Sequence, residues 1–380
     1  MFPSRFLVPF LPCLCASLLL AACASTSPRS HGVGATATGE ETGQSDAPVM
    51  AIGAGTPVVP AAETVAVGTR DADAADDPAI WVDAADPARV VIYGTDKKAG
   101  LYAYRIDGSV LQHLRGGKPN NVDLRDGFVV DGRAQVLVGA SDRSRDRFGV
   151  VLYLMDPQTL DTRFWGHVPV DLVEPYGLCL GRSGAAFIVV VNSTDGQVRQ
   201  LAVSAGADGK PVAVEQKRYA LRSQVEGCVI DDARGHVYIG EEAHGVWRYT
   251  LDPARGDEHI QVATAPGEAL VPDVEGLALL HDGTASWLMA SSQGDSAFAV
   301  WRVDGEPVYR GRFSVVAHAG IDAVTGTDGI AALAGPVGPY ADGLVVVQDD
   351  IDETPGTSGE RQNFKLVDWR TIRTALSLDR

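Results

Sequence analysis

Short apolar runs rich in β-branched and aromatic residues recur along most of the chain, and a polar or acidic phrase precedes each long repeat. The phrase is an acidic residue, usually a small residue, then a β-rich run. It appears at Asp76-Asp77-Pro78-Ala79-Ile80, Asn121-Val122-Asp123-Leu124, Glu174-Pro175-Tyr176-Gly177-Leu178, Val225-Glu226-Gly227-Cys228, Val274-Glu275-Gly276-Leu277 and Thr327-Asp328-Gly329-Ile330. From Asp77 through Asp123, Tyr176, Glu226, Glu275 to Asp328 the steps are 46, 53, 50, 49 and 53 residues. A second apolar strand, a small or acidic turn and another strand follow each phrase, as in Val237-Tyr238-Ile239-Gly240-Glu241-Glu242 with Gly245-Val246-Trp247. Runs of this length, bounded by turn residues, read as strands. No long helical periodicity competes.

Six units of about fifty residues, several strands each, predict an all-β, six-bladed β-propeller over 63–380. If each phrase starts the innermost strand of its blade, then Asp76, Asp77, Asp123, Glu174, Glu226, Glu275 and Asp328 converge at one end of one channel. Too few strands follow Asp328, so residues 64–68 are expected to close the ring against the last blade. Acids held in phase over six units are hard to explain as solvated turns. Asp71 and Asp73, ahead of the first strand, are read as solvated.

Composition brings in charge. The 380 residues hold 32 basic and 49 acidic side chains, for a formal charge of −17. That field repels nucleic acid, and it admits an anionic substrate only where cations bridge the two. Convergent carboxylates cannot all stay ionised without a cation. The eight histidines are scattered and cysteines are few. Oxygen-only ligation selects a hard cation, with Ca²⁺ ahead of Mg²⁺. Bases stand close by: Lys97 and Lys98 follow one turn, and Arg143, Arg145 and Arg147 lie in the equivalent turn one unit later. Arg offers phosphate a planar fork and Lys a point charge, so acids and bases at one mouth suit a phosphorylated substrate.

The first residues are read as a leader. Arg5 precedes a mostly apolar run that ends Leu20-Ala21-Ala22-Cys23, which resembles a lipoprotein signal over 1–22 with lipidation at Cys23. Residues 23–62, rich in Ala, Gly, Ser, Thr and Pro, read as a flexible tether. The expectation is an exported protein (an outer-membrane lipoprotein, periplasmic or secreted), monomeric, touching membrane only through that anchor. Cys179 and Cys228 either pair or remain two buried thiols. The Cys228-x5-Arg234 spacing is not a phosphatase cradle, because aspartates fill its middle where glycines are needed.

The phrases 76–81, 95–101, 120–125, 174–178, 225–228, 238–242, 273–277, 291–294, 327–330 and 362–365 together resemble the β-propeller phytases. The resemblance implies a calcium-dependent hydrolase of phytate (myo-inositol hexakisphosphate) and other inositol phosphates, working by metal-activated water attack at neighbouring subsites for two adjacent phosphates. By resemblance, Asp76, Glu226, Glu241, Asp273, Glu275 and Gln293 are calcium ligands, with Glu242 and Asp328 counted beside them. Asp77 with the Pro78 and Val122 carbonyls forms a separate stabilising site. Lys97, Arg143 and Tyr176 contact the scissile phosphate, Lys98 neighbours them, and Glu226 serves as ligand or base. Two positions depart from the family pattern. Thr194-Asp195 stands where members often carry a Lys-Glu pair for the second phosphate, and Gly326 stands where an acid is expected. The competing readings are another six-bladed hydrolase, such as a lactonase, and a non-catalytic binding propeller stabilised by calcium.

Overall fold

A computed structural model of the chain describes residues 55–283, 285–353 and 360–379. The leader at 1–22, Cys23 and the tether as far as residue 54 lie outside the described residues. The described residues form six sheets, antiparallel except for one edge strand added in parallel. Their innermost strands are Ala75–Val82, Pro119–Val130, Pro175–Ser183, Val225–Asp231, Leu277–His281 and Ile330–Ala334, in blades one to six. This is the six-bladed propeller that the repeat predicts.

The core is distributed as six layers, each between two adjacent blades. Trp81, Tyr93, Val138 and Tyr153 fill the layer between blades one and two, and Leu152, Leu180, Val189 and Leu201 the next. Each blade buries its faces only by stacking on its neighbours, which is why the strands read as continuous apolar runs rather than alternating ones. Blades three and four are also joined covalently, by a Cys179–Cys228 disulfide between their inner strands.

Closure comes from the N-terminal side, slightly ahead of the expected place. Ala62–Glu63 pairs antiparallel with Asn363–Asp368 as the outer strand of blade six, and Thr64 N–H and Val67 N–H continue the pairing to the Phe364 and Gln362 carbonyls. Thr56–Val58 adds in parallel to the outer strand of blade five, Val308–Val315. The expected 23–62 tether is therefore shortened at its C-terminal end, where short strands borrow their pairing from a distant partner. The seam is ionic as well. The fully buried Lys365 ammonium meets Glu63 at 2.6 Å, Asp322 at 2.5 Å and Asp349 at 3.1 Å. The chain ends in a seven-residue helix, Trp369–Ala375, capped by Asp368.

The inner strands share one irregularity. In blades one to four the ladder skips two residues near the strand start: Asp76-Asp77, Asn120-Asn121, Tyr176-Gly177 and Glu226-Gly227. A bulge of this kind releases residues from sheet pairing and re-aims their side chains. In blades five and six the same phrase stands just before the strand, at Glu275-Gly276 and Asp328-Gly329. The bulges let neighbouring backbones meet. A Cβ on Gly227 would collide with the Glu275 carbonyl, and one on Gly329 with Asp77 and the Asp76 carbonyl. The Gly276 N–H donates to Asp328 O at 2.9 Å and the Gly329 N–H to Asp76 O at 3.1 Å, so main chains bond across the blade junctions. Below this ring runs a central cavity of about 410 Å³, lined by Asp77 and Asn121 at the acidic end and by Arg125, Asp232 and His281 at the other.

Gly227→Ala forces the fourth and fifth blades apart and should lower stability by about 1–3 kcal/mol, as overpacking does. Thermal unfolding of the variant against the parent chain measures this, and an unchanged Tm would refute the close-approach argument.

Candidate active site

The skipped residues build the site. Their side chains turn toward the channel mouth, and Asp76, Asn120, Tyr176, Glu226, Glu275 and Asp328 hold equivalent places in the six blades. Asp76, Glu226, Glu275 and Asp328 are all buried. Asp123 does not join them. It lies three residues past the equivalent position, Asn120, and its carboxylate accepts from Arg125 and from the Leu180 N–H. Glu174 also misses the inner ring: it is part-exposed, with Oε1 4.0 Å from Arg143 Nη1.

One edge of the mouth is a carboxylate cluster. Glu226, Glu242 and Glu275 each offer an oxygen, and these oxygens lie within 4.8 Å of one another. Asn120 Nδ2 donates to Glu226 Oε1 at 2.5 Å, a contact absent from the set of site residues read from the sequence. Glu242 Oε1, Glu275 Oε2 and Asn120 Oδ1 are buried and accept no hydrogen bond. Burial pushes Glu226 and Glu275 well above the usual carboxylate range, and each neighbouring carboxylate adds to the effect: Glu275 and Asp76 on Glu226, Glu242 on Glu275. Burial, then Glu226, lifts Glu242 from 4.5 to about 9. Buried acceptors without donors, all oxygen and two of the three on carboxyl groups, match what a hard cation requires. Asp273 and Gln293 stand beside this cluster: Gln293 N–H donates to Asp273 O at 3.0 Å, and its side-chain amide to Asp328 Oδ1 at 2.6 Å.

The other edge centres on a lysine. Lys97 Nζ reaches Asp73 at 2.7 Å, Asp76 at 2.9 Å and Asp328 at 3.5 Å, and is itself buried. Asp73 is thus a partner of the site rather than a solvated residue. Lys98, half-exposed, pairs with Asp71 at 2.8 Å. Burial raises Asp328 well above its ordinary range against the opposing pull of Lys97. Asp350 is a further acid that sequence reading missed. A Cβ on Gly326 would meet the Asp350 side chain at 3.1 Å, so Asp350 occupies the space a side chain at 326 would need. Burial lifts Asp350 to about 7, Lys97 opposing and Asp73 assisting.

Arg143 lies over the Tyr176 ring, 5.1 Å from its centroid, and both are largely buried at the mouth. Arg147 is exposed and pairs with Asp142 at 3.0 Å, and Arg145 is exposed, so the arginine run contributes Arg143 to the mouth. Asp77 lies deeper. Its Oδ2 accepts the Val122 N–H at 3.0 Å, joining blades one and two, and burial with Asp76 nearby holds its pKa well up. Pro78 and Val122 both line the cavity with it.

Glu241 departs from its expected role. Its Oε1 accepts from the Arg222 and Ser223 N–H groups at 2.8 and 2.9 Å and from Ser223 Oγ at 3.1 Å, and its Oε2 accepts from Trp247 Nε1 at 2.9 Å. With four donors on one carboxylate, Glu241 anchors a turn, while the adjacent Glu242 faces the cluster. Glu241 is the last residue of its strand, His236–Glu241, and Glu242 opens the turn that follows, so the two side chains have different surroundings.

Comparison with known proteins shows the family. The family described as Phytase matches residues 35–380. The 3-phytase of Bacillus subtilis (strain 168) is 35% identical over 318 residues, covering 82% of this chain and 83% of that protein. Solved structures with low identity also align. The RRP9 WD40 repeats do so at TM-score 0.45 and 12% identity, covering 82% of this chain and 98% of theirs. BBS1N in complex with ARL6DN does so at 0.44 and 13%, covering 76% and 78%. The family match spans the whole propeller, and the chain belongs to the phytase family.

Proposed function

We propose that this protein is an exported, calcium-dependent phytase that releases phosphate from myo-inositol hexakisphosphate and related inositol phosphates. The observation that carries the reading is the buried oxygen cluster of Glu226, Glu242 and Glu275, with Lys97 and Arg143 at its rim. Asp76, Asp273, Gln293 and Asp328 extend the donor set, and Asp77 with the Pro78 and Val122 carbonyls offers a second, structural place. Bound Ca²⁺ supplies charge neutralisation for the carboxylates and phosphate oxygens and acidifies water nearby.

The chain's own groups do the rest. Lys97 and Arg143 bind the scissile phosphate, Lys as a point charge and Arg as a fork. Tyr176 underlies Arg143 and fixes its plane. Lys97 is held by three carboxylates, so its ammonium is oriented before substrate arrives. Kept ionised by a cation at the cluster, Glu226, steadied by Asn120, would take the proton of the water that attacks phosphorus in line with the P–O bond to inositol, and would return it to the inositol oxygen as that bond breaks. The excess of acid elsewhere makes these few cations selective for where a polyanion lands.

Export is supported by the signal-like run before Cys23 and by a buried disulfide, which persists in oxidising compartments. Cys23→Ser should shift the protein from the membrane to the soluble fraction, and unchanged fractionation would reject the lipid anchor.

Phosphate release from phytate should need added Ca²⁺ and stop with chelator; activity surviving complete chelation sinks the metal reading. Under saturating Ca²⁺, Lys97→Ala should cost about 10²–10³-fold in kcat/KM, the usual loss for one charge-stabilising donor. Unchanged turnover would favour a hydrolase of another class.

The carboxylate cluster also sets a pH dependence. With its folded pKa raised to about 9 against 4.5 unfolded, Glu242 binds more protons folded than unfolded between those values. Its contribution to metal-free stability is therefore present below about pH 4.5 and lost as pH rises toward 9. Metal-free Glu242→Gln should lose less Tm between pH 5 and 8 than the parent chain, and an identical slope would contradict the assignment.

A further inference from the structure

Gln362, which opens the phrase 362–365, spends its side chain on the main chain that leads into the first blade. It is buried, and its amide uses all four of its hydrogen-bonding places. Oε1 accepts from the Ala74 N–H at 2.8 Å and the Ala75 N–H at 2.6 Å, and Nε2 donates to the Ala72 carbonyl at 2.7 Å and to Asp350 Oδ1. Two main-chain donors on one side and a carbonyl on the other fix which atom is oxygen and which is nitrogen. Residues 71–74 are bends and irregular chain ahead of the strand that starts at Ala75, so a side chain 288 residues from Ala74 stands in for a ladder. The same segment also bonds the lysine, because the Lys97 N–H donates to Ala74 O at 2.7 Å. Asp73, between Ala72 and Ala74, and Asp76, next after Ala75, carry the carboxylates that stand 2.7 and 2.9 Å from Lys97 Nζ. Gln348, fully buried, adds a second clasp: Nε2 donates to Ala75 O at 3.2 Å and Oε1 accepts from the N–H of Asp328, the third partner of the ammonium, at 2.7 Å.

We propose that Gln362 is a positioning residue for Lys97: by pinning the main chain on both sides of Asp73 and up to Asp76, it holds those two carboxylates where they orient the ammonium. The inference rests on the phosphate-ester reading above, in which Lys97 binds the phosphate that is cut. A lysine ammonium is a point charge on a flexible four-carbon stem, so its place is set by its partners. Asp73 stands on chain without sheet pairing, and it is only as fixed as Ala72 and Ala74. Gln362 acts through Lys97 and takes no part in bond cleavage. It belongs to the last blade and serves a lysine of the first, so the last blade's docking and the ordering of Lys97 come from one side chain.

The test is a double-mutant cycle on the calcium-loaded full chain with myo-inositol hexakisphosphate, assayed well below each variant's Tm and counted per folded molecule. Gln362→Met keeps the volume and removes all four bonds. It should lower kcat/KM about tenfold, mostly in kcat, the scale of a modest misplacement of one charged group. Gln362→Glu keeps the bonds from Ala74 and Ala75 but not those to Ala72 and Asp350, and should lose about threefold; it decides the matter if Gln362→Met does not fold. In the Lys97→Ala background the same substitutions should cost almost nothing further, because the group they position is gone. Asn363→Ala is the control. Its equally buried amide donates to Glu63 Oε2 at 3.2 Å and Thr64 O at 3.4 Å, away from residues 72–76, so it should lower Tm and leave kcat/KM near the parent's. Parent-like kcat/KM in a folded Gln362 variant, or losses that multiply in full with Lys97→Ala, would overturn the role of Gln362 while leaving a working phytase. A parent chain inactive on the hexakisphosphate would overturn the phytase reading itself, and the inference with it.

Discussion

The close approach of main chains around the channel mouth is the constraint on which the rest depends. At the junctions where Gly227 and Gly329 sit, no side chain fits between one inner strand and the next. The inner strands can meet only because each skips two residues at its start or begins just after them. Those released residues are the site: Asp76, Asn120, Tyr176, Glu226, Glu275 and Asp328. The packing that closes the ring thus also buries like charges together, at an electrostatic cost that a cation bound there would relieve. Fold and chemistry are therefore not separable here. A bulge straightened to improve sheet pairing would both open the ring and withdraw a side chain from the mouth.

The repeat and its acids were legible because they are local: a phrase of five residues recurs at nearly constant spacing. What the phrase does not encode is its exact phase. In the second blade the eye falls on Asp123, but the position equivalent to Asp76 and Glu226 is Asn120, and only the bulge register decides between them. The same ambiguity separates Glu241 from Glu242, neighbours in sequence of which one ends a strand and the next opens a turn. Contacts between distant segments were less legible still. Asp350 fills the space beside Gly326 from across a strand junction, and Asp73 reaches Lys97 from an irregular lead-in that composition suggested was solvated. Thr56–Val58 is three residues long, so no periodicity announces it, and its partner lies over 250 residues away.

Closure and the disulfide act on different parts of the ring. The seam between the first and last segments is held by strand pairing and by the buried Lys365 with its carboxylates. A buried ion group of this kind adds little net stability but is costly to break, so it fixes which strand docks there rather than how tightly. The disulfide sits instead between blades three and four, one residue beyond Gly227 and two beyond Gly177, directly below Tyr176 and Glu226. It limits how far those two side chains can drift apart, and they come from the two edges of the site, one under Arg143 and one in the carboxylate cluster.

A protein of −17 that acts on a polyanion needs its positive charge in few, well-ordered places. Lys97 is ordered by three carboxylates and Arg143 by an aromatic face. In each case the group that orders the cation is an acid or a ring beneath it, so rigidity is gained without neutralising the outward field completely. Cations bound to the carboxylates would tip this balance further. Carboxylate charge given over to a metal is charge withdrawn from Lys97, whose ammonium is then freer to face phosphate. On the proposed reading, metal binding and phosphate binding would be coupled in this way through shared acids, Asp76 and Asp328 above all, and the coupling would need no movement of the blades.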